Sequence, residues 1–285
     1  MLRILHLSDL HAGRPFLEVV SRALQRTAAE LRPDLIAVSG DFTQRARRAE
    51  FRAARRFLDH LPRVPRVLVP GNHDVPLHRF WERLTRPHAL YRRYLEPRLS
   101  TVLSAPRAVV VGLDSTDPLR SIRGGRVTEA DLAFCERAFA DAAPGVYRVI
   151  VVHHPLVLPP GAGGTRSLPG SVAALRAFDR LGVDLVLAGH LHRTYAVSPV
   201  DLRLGPDPAD GVILVQCGTS TSRRSRGAEP NAFNWVELSP DAIAVTHYLY
   251  RGDGEDEGFH AESRHVFARG GRGTHRAGGE ERRGR

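Results

Sequence analysis

Short apolar runs that each end in glycine or a polar residue constrain the fold of this chain more than any other feature. These runs are residues 3–8, 35–40, 66–71, 108–113, 148–153 and 184–189. Segments with helical spacing of apolar residues lie between them, at residues 16–31, 47–61, 128–142 and 170–181, and Thr128 fits a helix N-cap. This alternation of strands and helices predicts an α/β fold around a largely buried sheet.

After residue 190 the pattern changes to strands without helices. Four further apolar runs follow, at residues 194–200, 211–218, 233–239 and 242–250. From residue 252 onward, glycine and charged residues replace apolar ones, and such a composition buries too little surface to fold. We therefore predict one folded domain over residues 1–251 and a disordered tail over residues 252–285.

The positive charge of the chain gives only weak support to nucleic-acid binding. Its formal net charge is +10, and all 41 basic residues are arginine, which indicates a chain-wide bias in composition. In residues 45–57, arginines surround an apolar stripe that contains Phe51 and Phe57, as on a solvated helix. Nucleic acid is thus an option that is not favoured, whereas a cationic surface favours a small anionic substrate.

Neither a membrane segment nor a secretion signal is expected. The apolar stretch at the N-terminus is too short for a signal peptide, and no segment approaches the ~18 apolar residues of a membrane span. Cys135 and Cys217 are the only cysteines, which predicts buried reduced thiols and no disulfide framework. We expect a cytoplasmic protein without a membrane partner. Its oligomeric state stays open, a homodimer included.

Polar side chains follow five of the predicted strands at the point where each strand ends. They are Asp9, His11, Asp41, Asn72, His73, His153, His154, His190 and His192. In open α/β sheets the carboxyl ends of the strands are where ligands bind, so these segments are expected to meet at one site. In Asp9-x-His11 and His190-x-His192 an extended backbone would put both side chains on the same side.

The donor types at this edge predict a metal site. Carboxylate, amide and imidazole groups without a thiolate suit divalent transition metals such as Mn, Fe, Zn or Co. Two aspartates, one asparagine and four histidines give seven donors, which are too many for one ion. They suit two ions with a bridging carboxylate, a recurrent device for phosphoester hydrolysis. A single D-x-H or G-D motif is more typical of a turn or helix cap, and the ordered set carries the prediction.

The chain resembles the calcineurin-like metallophosphoesterase superfamily over roughly residues 3–250, and most closely the bacterial class III cyclic-nucleotide phosphodiesterases that act on cyclic AMP. The motifs that carry the resemblance are ILHLSDLH, SGDFTQRARRAEF, VPGNHDV, VVHHPL and LAGHLHRTY followed by VQCGTST. It implies a four-layer α/β/β/α sandwich, with residues 1–251 as the metallophosphoesterase catalytic domain and a dinuclear centre at the strand ends.

The resemblance also implies a role for each ligand. Asp9, His11 and His192 would hold the first metal, and Asp41 would bridge to the second. The second metal would be held by Asn72, His153 and His190. Within the His-His-Pro motif the family pattern uses the first histidine, which leaves His154 as a neighbour of the ligands or a substrate contact.

The expected reaction is hydrolysis of a phosphoester. A water between two cations has its pKa lowered towards about 7, which supplies a bridging hydroxide for in-line attack on phosphorus. His73 is expected to be the general acid for the leaving oxygen. Two roles stay open for Asp74: it orients the His73 imidazole, or it is a turn residue that accepts hydrogen bonds from its own backbone.

The resemblance implies a phosphodiesterase for a cyclic nucleotide or another small phosphodiester. A nuclease of the same superfamily is the alternative, and a non-enzymatic scaffold is disfavoured because no ligand position is lost. Several side chains could contact substrate or serve only the fold: Asp114, Arg223, Arg224, Arg226, and Trp81, Tyr91 and Tyr94 of the segment 75–98.

Overall fold

Two six-stranded sheets packed face to face form the centre of the computed structural model, which describes residues 1–121, 124–158, 169–198, 211–224, 229–252 and 256–269. The strands are β1 (Leu2–Leu7), β2 (Leu35–Val38), β3 (Arg66–Leu68), β4 (Thr101–Ala105), β5 (Ala108–Leu113), β6 (Tyr147–Val152), β7 (Leu185–Ala188), β8 (Tyr195–Val197), β9 (Ile213–Gln216), β10 (Ala232–Leu238), β11 (Ala242–Arg251) and β12 (Gly258–Ala268). The helices are α1 (Glu18–Leu31), α2 (Arg48–Asp59), α3 (Phe80–Thr85), α4 (Ala89–Tyr94), α5 (Glu129–Phe139) and α6 (Ser171–Arg180).

Each sheet combines a parallel centre with antiparallel edges. The first has the order β12-β11-β10-β1-β2-β3, in which β1, β2 and β3 are parallel. The second has the order β4-β5-β6-β7-β9-β8, in which β5, β6, β7 and β9 are parallel. The six strands predicted from the alternating part of the sequence are all present, and they supply the parallel core of both sheets.

Three separate hydrophobic clusters show the layering. The cluster between the sheets joins side chains such as Ile4 and Val69 of one sheet to Val149 and Leu187 of the other. A second cluster joins the outer face of the first sheet to α1, α2 and α4, and a third joins the outer face of the second sheet to α5 and α6. The expected four-layer α/β/β/α sandwich is therefore confirmed.

Local helix signals in the sequence appear where they were expected. Thr128 caps α5, because its hydroxyl oxygen accepts a hydrogen bond from the backbone nitrogen of Asp131 at 3.3 Å. Helix α2 buries Phe51, Ala54 and Phe57 against the first sheet. Cys135 and Cys217 are buried free thiols, as predicted. In the part of the chain that the structure describes, no helix has the length and apolar character that a membrane crossing requires.

The predicted disordered tail is wrong in its first part. Residues Gly258–Ala268 form strand β12, which pairs antiparallel with β11 over nearly its whole length and so makes one edge of the first sheet. Phe259 packs against Phe233 with 5.0 Å between ring centroids, and Phe267 is buried between the sheets. The prediction failed because it rested on the low apolar content of the whole segment, although two of its phenylalanines occupy core positions. Residues 270–285 of the predicted tail lie outside the described residues.

The segment 75–98 contains two short helices, α3 and α4, that the sequence did not predict. Its aromatic residues divide between the core and the surface. Tyr91 is fully buried, and Tyr94 stacks on Phe51 with 13° between the ring planes. Trp81 is 74% exposed and presents its ring to solvent, whereas Tyr94 is half-buried.

Candidate metal centre

Five of the seven predicted metal ligands have a left-handed backbone conformation. They are Asp9, His11, Asp41, His190 and His192, with φ between 47° and 75°. This conformation costs about 1–3 kcal/mol at a non-glycine residue and concentrates at functional sites. The expectation that an extended backbone aligns Asp9 with His11 is therefore wrong, because each strand ends in a sharp left-handed turn that aims the side chain.

Hydrogen bonds between the turns hold this backbone in place. The backbone nitrogen of Asp9 donates to the carbonyl of Gly40 at 3.0 Å, and that of His11 donates to the carbonyl of Asp41 at 2.9 Å. The His190 nitrogen donates to Asp9 Oδ2 at 2.8 Å. The loops approach so closely that a Cβ at Gly71 would clash with the Asp41 side chain. The turns therefore support one another across both sheets.

The first ligand cluster gathers Asp9, His11 and His192, with Asp41 beside it. Nε2 of His192 lies 3.2 Å from Nε2 of His11 and 3.1 Å from Asp9 Oδ1. Nε2 of His11 lies 3.5 Å from the same Asp9 oxygen. The side chains of Asp9 and His11 are fully buried, so these donors face one another and not solvent. Three of the predicted ligands of the first metal are thus brought together.

The second ligand cluster gathers Asn72, His153 and His190. Asn72 Oδ1 lies 3.0 Å from His190 Nδ1 and 3.2 Å from His153 Nε2. The two imidazole nitrogens are 3.3 Å apart. His153 is fully buried, whereas Asn72 and His190 are half-buried and form the more open side of the centre.

Asp41 stands between the two clusters. Its Oδ2 lies 3.8 Å from His11 Nε2 on one side and 3.5 Å from His153 Nε2 on the other. Its other oxygen, Oδ1, accepts a hydrogen bond from the backbone nitrogen of His73 at 2.8 Å. A carboxylate in this position has one oxygen fixed by the backbone and the other directed at both clusters.

The ring tautomers of the histidines fit a role as ligands. Nδ1 of His153 donates to the carbonyl of Ser39 at 2.7 Å, and Nδ1 of His192 donates to the carbonyl of Arg224. With the proton on Nδ1, the lone pair of Nε2 points into the site, which is the usual arrangement of metal-binding histidines. Such facing lone pairs repel one another unless a cation lies among them.

The carboxylates add the charge that a cation needs. Burial raises the pKa of Asp9, but the nearby imidazoles of His192 and His11 outweigh burial and hold that pKa well below its usual range. Among the described residues no hydrogen bond reaches Asp9 Oδ1, although two imidazoles lie close to it. Burial likewise raises the pKa of Asp41, and the nearby histidines lower it further than burial raises it. The residues present therefore fit a site for divalent metal.

His73 lies next to this centre without joining either cluster. Its ring packs edge-on against His11, with 4.9 Å between ring centroids. Its Nδ1 lies 2.8 Å from the carbonyl of Gln44, and its Nε2 lies 2.8 Å from Nη1 of Arg224. His73 thus lies beside the candidate ligands, and its partners Gln44 and Arg224 were not predicted.

The proposed role of Asp74 in orienting His73 is wrong, because its carboxylate is occupied elsewhere. One oxygen accepts hydrogen bonds from the backbone nitrogen of Thr43 at 2.9 Å and from the Thr43 hydroxyl at 3.0 Å. The other accepts from the backbone nitrogens of Gly71 at 2.9 Å and Phe42 at 3.2 Å. Asp74 thus fixes its own turn, the second of the two roles considered, and also ties that turn to the loop of Asp41.

His154 lies beside the second ligand cluster, whereas Asp114 belongs to the turn after β5. His154 is buried, with Nδ1 2.8 Å from the Ser115 hydroxyl, and its donor atoms lie near those of His153 and His190. Asp114 accepts hydrogen bonds from the backbone nitrogen and the hydroxyl of Thr116, at 2.9 and 2.7 Å. Asp114 is therefore a turn carboxylate that serves the fold.

Arg224 lies beside the candidate centre, a position that little in the sequence indicated. It lies in the loop after β9, far along the chain from the ligand motifs, and only its arginine-rich surroundings suggested a phosphate contact. Arg223 is exposed, and its backbone nitrogen donates to the carbonyl of Pro15. Arg226 lies outside the described residues. No local pattern distinguishes these three arginines, and the fold alone selects Arg224.

Comparison with known proteins gives a consistent pattern. The family described as "Calcineurin-like phosphoesterase" matches residues 2–194, a range that contains all seven predicted ligands. The glycerophosphodiester phosphodiesterase GpdQ of Enterobacter lignolyticus is 30% identical over 158 residues, which cover 53% of this chain and 50% of that protein. A "Probable cyclic nucleotide phosphodiesterase" of Synechococcus sp. is 29% identical over 170 residues, covering 57% of this chain and 59% of its own length. The chain therefore spans about half of the curated relatives it matches.

A solved structure supports the fold independently. The purple acid phosphatase PPD1 of yellow lupin, Lupinus luteus, superposes with a TM-score of 0.69 at 11% sequence identity. The match covers 94% of this chain and 53% of the lupin chain. At that identity the likeness concerns the arrangement of the sheets and helices.

Proposed function

Because the chain belongs to the calcineurin-like phosphoesterase family, we propose that it is a metal-dependent hydrolase of small phosphodiesters, with cyclic nucleotides and glycerophosphodiesters as the substrate classes to test. The observation that carries the proposal is the position of Asp41. One carboxylate oxygen within 3.8 Å of a histidine nitrogen from each cluster is the arrangement that a bridging ligand requires.

Two divalent ions, one on each side of Asp41, would supply an activated water and positive charge for the phosphoryl oxygens. Asp9, His11 and His192 would hold one ion, and Asn72, His153 and His190 the other. The chain contributes the fixed geometry of these donors, which the interlocked left-handed turns maintain. Preorganised charge of this kind accounts for a large part of the rate enhancement in phosphoryl transfer.

The two curated relatives favour a phosphodiester over a phosphomonoester as the substrate. One is named a glycerophosphodiester phosphodiesterase and the other a probable cyclic nucleotide phosphodiesterase. The half-buried edge formed by Asn72, His73 and His190 leaves the centre open on one side. A phosphate group can therefore approach the second cluster directly.

The test combines metal analysis with a substrate panel. Protein reconstituted with Mn is expected to hold two ions per chain and to hydrolyse at least one of cyclic AMP, 2′,3′-cyclic nucleotides and glycerophosphodiesters. Asp41→Ala is expected to lose both ions and all turnover, while Asp59→Ala, an exposed carboxylate on α2, serves as the matched control. Two bound ions with hydrolysis of single-stranded DNA alone would favour the nuclease instead, and full activity of Asp41→Ala would contradict the proposed centre.

A further inference from the structure

Arg224 places a permanent positive charge beside the first ligand cluster. Its Nη1 lies 2.8 Å from His73 Nε2 and 3.3 Å from Gln44 Oε1. Its backbone carbonyl accepts the Nδ1 proton of His192, a ligand of the first cluster. The same residue therefore fixes one metal ligand through its main chain and reaches the edge of the site through its side chain.

The hydrogen-bond partners of His73 show which ring nitrogen donates and which accepts. A carbonyl only accepts, so the proton of the imidazole lies on Nδ1, which faces the carbonyl of Gln44 at 2.8 Å. A guanidinium only donates, so Nε2 of His73 accepts from Arg224. Nε2 of His73 is thus engaged as an acceptor of the guanidinium and is not placed to donate to a leaving group.

The position expected of a general acid is therefore filled by an arginine. A guanidinium does not lose its proton in proteins, and its planar fork of donors matches the oxygens of a phosphate. The ring of His73 packs against His11, so the guanidinium that it holds stands directly next to the first cluster. An anionic phosphoryl oxygen that faces away from the metals would meet this guanidinium.

We propose that Arg224 binds an anionic nonbridging oxygen of the substrate phosphoryl group, and that His73 is a positioning residue that holds the guanidinium through Nε2. This inference rests on the proposed phosphodiesterase function and adds an anion subsite to it. The subsite selects for substrates that carry a negative charge on phosphorus. A phosphodiester is a monoanion and has such an oxygen, whereas a neutral phosphotriester has none.

The first experiment uses two esters with the same leaving group. Arg224→Met is expected to lower kcat/KM for bis(4-nitrophenyl) phosphate by roughly 10- to 100-fold, the loss of a charge-assisted hydrogen bond. The rate for a neutral 4-nitrophenyl dialkyl phosphate should change by less than about threefold, since that ester offers no anionic oxygen to the guanidinium. Arg223→Met removes the same charge from the neighbouring exposed position and is expected to leave both rates unchanged. Equal losses on both esters would overturn the proposal.

The second experiment measures anion binding without turnover. Inorganic phosphate titrated into the reconstituted protein by calorimetry should bind roughly 10-fold or more weakly to Arg224→Met than to wild type. Metal content should be the same in both, because the carbonyl and not the side chain of Arg224 contacts His192. Equal phosphate affinity would overturn the inference. Wild type that binds metal and phosphate but hydrolyses no ester would instead refute the proposed function and leave the anion subsite intact.

The third experiment tests the positioning role of His73. Nitrogen-15 NMR of the histidine rings should show Nδ1 protonated and Nε2 unprotonated for His73 in wild type, and this signature should change in Arg224→Met. His73→Ala should reduce the diester rate by the same factor for nitrophenyl and alkyl leaving groups, and the double variant His73→Ala/Arg224→Met should be no worse than Arg224→Met. A loss that grows as the leaving group becomes more basic would identify His73 as the acid and overturn its positioning role.

Discussion

The Asp74 carboxylate accepts both the backbone N–H and the side-chain hydroxyl of Thr43, at 2.9 and 3.0 Å. This pair joins the turn that carries Asn72 to the loop that carries Asp41. Because one loop supplies a residue of the second cluster and the other supplies the carboxylate between the clusters, their spacing depends on a residue that belongs to neither cluster.

Asp74→Ala is expected to unfold more easily and to bind metal more weakly. The substitution leaves three buried backbone nitrogens, those of Phe42, Thr43 and Gly71, without their acceptor, at a cost of about 2–4 kcal/mol in the free energy of unfolding. Urea denaturation and metal titration measure the two effects. A variant with unchanged stability and a reduced rate would show that Asp74 acts on His73 after all.

Asn72→Ala should remove mainly one metal ion. Among the described residues, Asn72 Oδ1 contacts the histidines of the second cluster, so the first cluster with Asp9, His11 and His192 keeps its donors. Metal analysis after dialysis is expected to find about one ion per chain, where Asp41→Ala holds none. Loss of both ions from Asn72→Ala would show that the two clusters do not bind independently.

Truncation after Arg251 is expected to destabilise the protein strongly. It removes β12, which exposes the edge of β11 and takes Phe259 and Phe267 from two different cores. Loss of a single buried phenylalanine side chain costs about 3–5 kcal/mol, so a cooperative thermal transition should be shifted far down or absent. Truncation after Arg269 retains β12 and is the matched control. Equal melting temperatures would mean that β12 contributes nothing to the fold.

Arg32→Gly should stabilise the protein. Arg32 ends α1 in a left-handed conformation with φ 51° and is exposed. Its backbone conformation therefore lowers the free energy of unfolding, and its side chain adds no buried packing. Glycine adopts this conformation freely, and the expected gain is about 0.5–1 kcal/mol. Arg22→Gly, within the same helix, should instead cost about 1 kcal/mol. Chemical denaturation of the two variants should therefore shift in opposite directions from wild type.

Asp114→Asn should stabilise the protein at high pH and not at low pH. Burial raises the pKa of Asp114 to about 6, above the value of an exposed aspartate. The folded protein therefore binds this proton more tightly than the unfolded chain, and the stability that Asp114 contributes is present at low pH and lost as pH rises through 6. Asparagine keeps the acceptor for Thr116 and carries no charge. We expect a gain of about 1–3 kcal/mol at pH 8 and none near pH 4, measured in urea. A pH-independent difference would contradict the raised pKa.

The residues that meet at the candidate centre could be predicted because the signal for each one is local. Asp9, Asp41, Asn72, His153 and His190 each come directly after a short apolar run, and parallel strands bring their carboxyl ends to one edge. Helix boundaries within two or three residues, and the cap at Thr128, follow from the same local signals. The hydrophobic periodicity of a strand or a helix can be recognised from residues that are close together in the sequence.

The sequence alone therefore determined the alternation of strands and helices and the strand ends that carry the candidate ligands, because both are visible in consecutive residues, while the family resemblance implied the four-layer α/β/β/α sandwich. Tertiary structure decided the rest. The strand Gly258–Ala268 forms because β11 offers it an edge and two cores accept its phenylalanines, although its own composition resembles a tail. Asp74 serves the loop of Thr43, and Arg224 reaches His73 across 151 positions of the chain. These contacts join segments with no periodic relationship, so only the packed chain can bring them together.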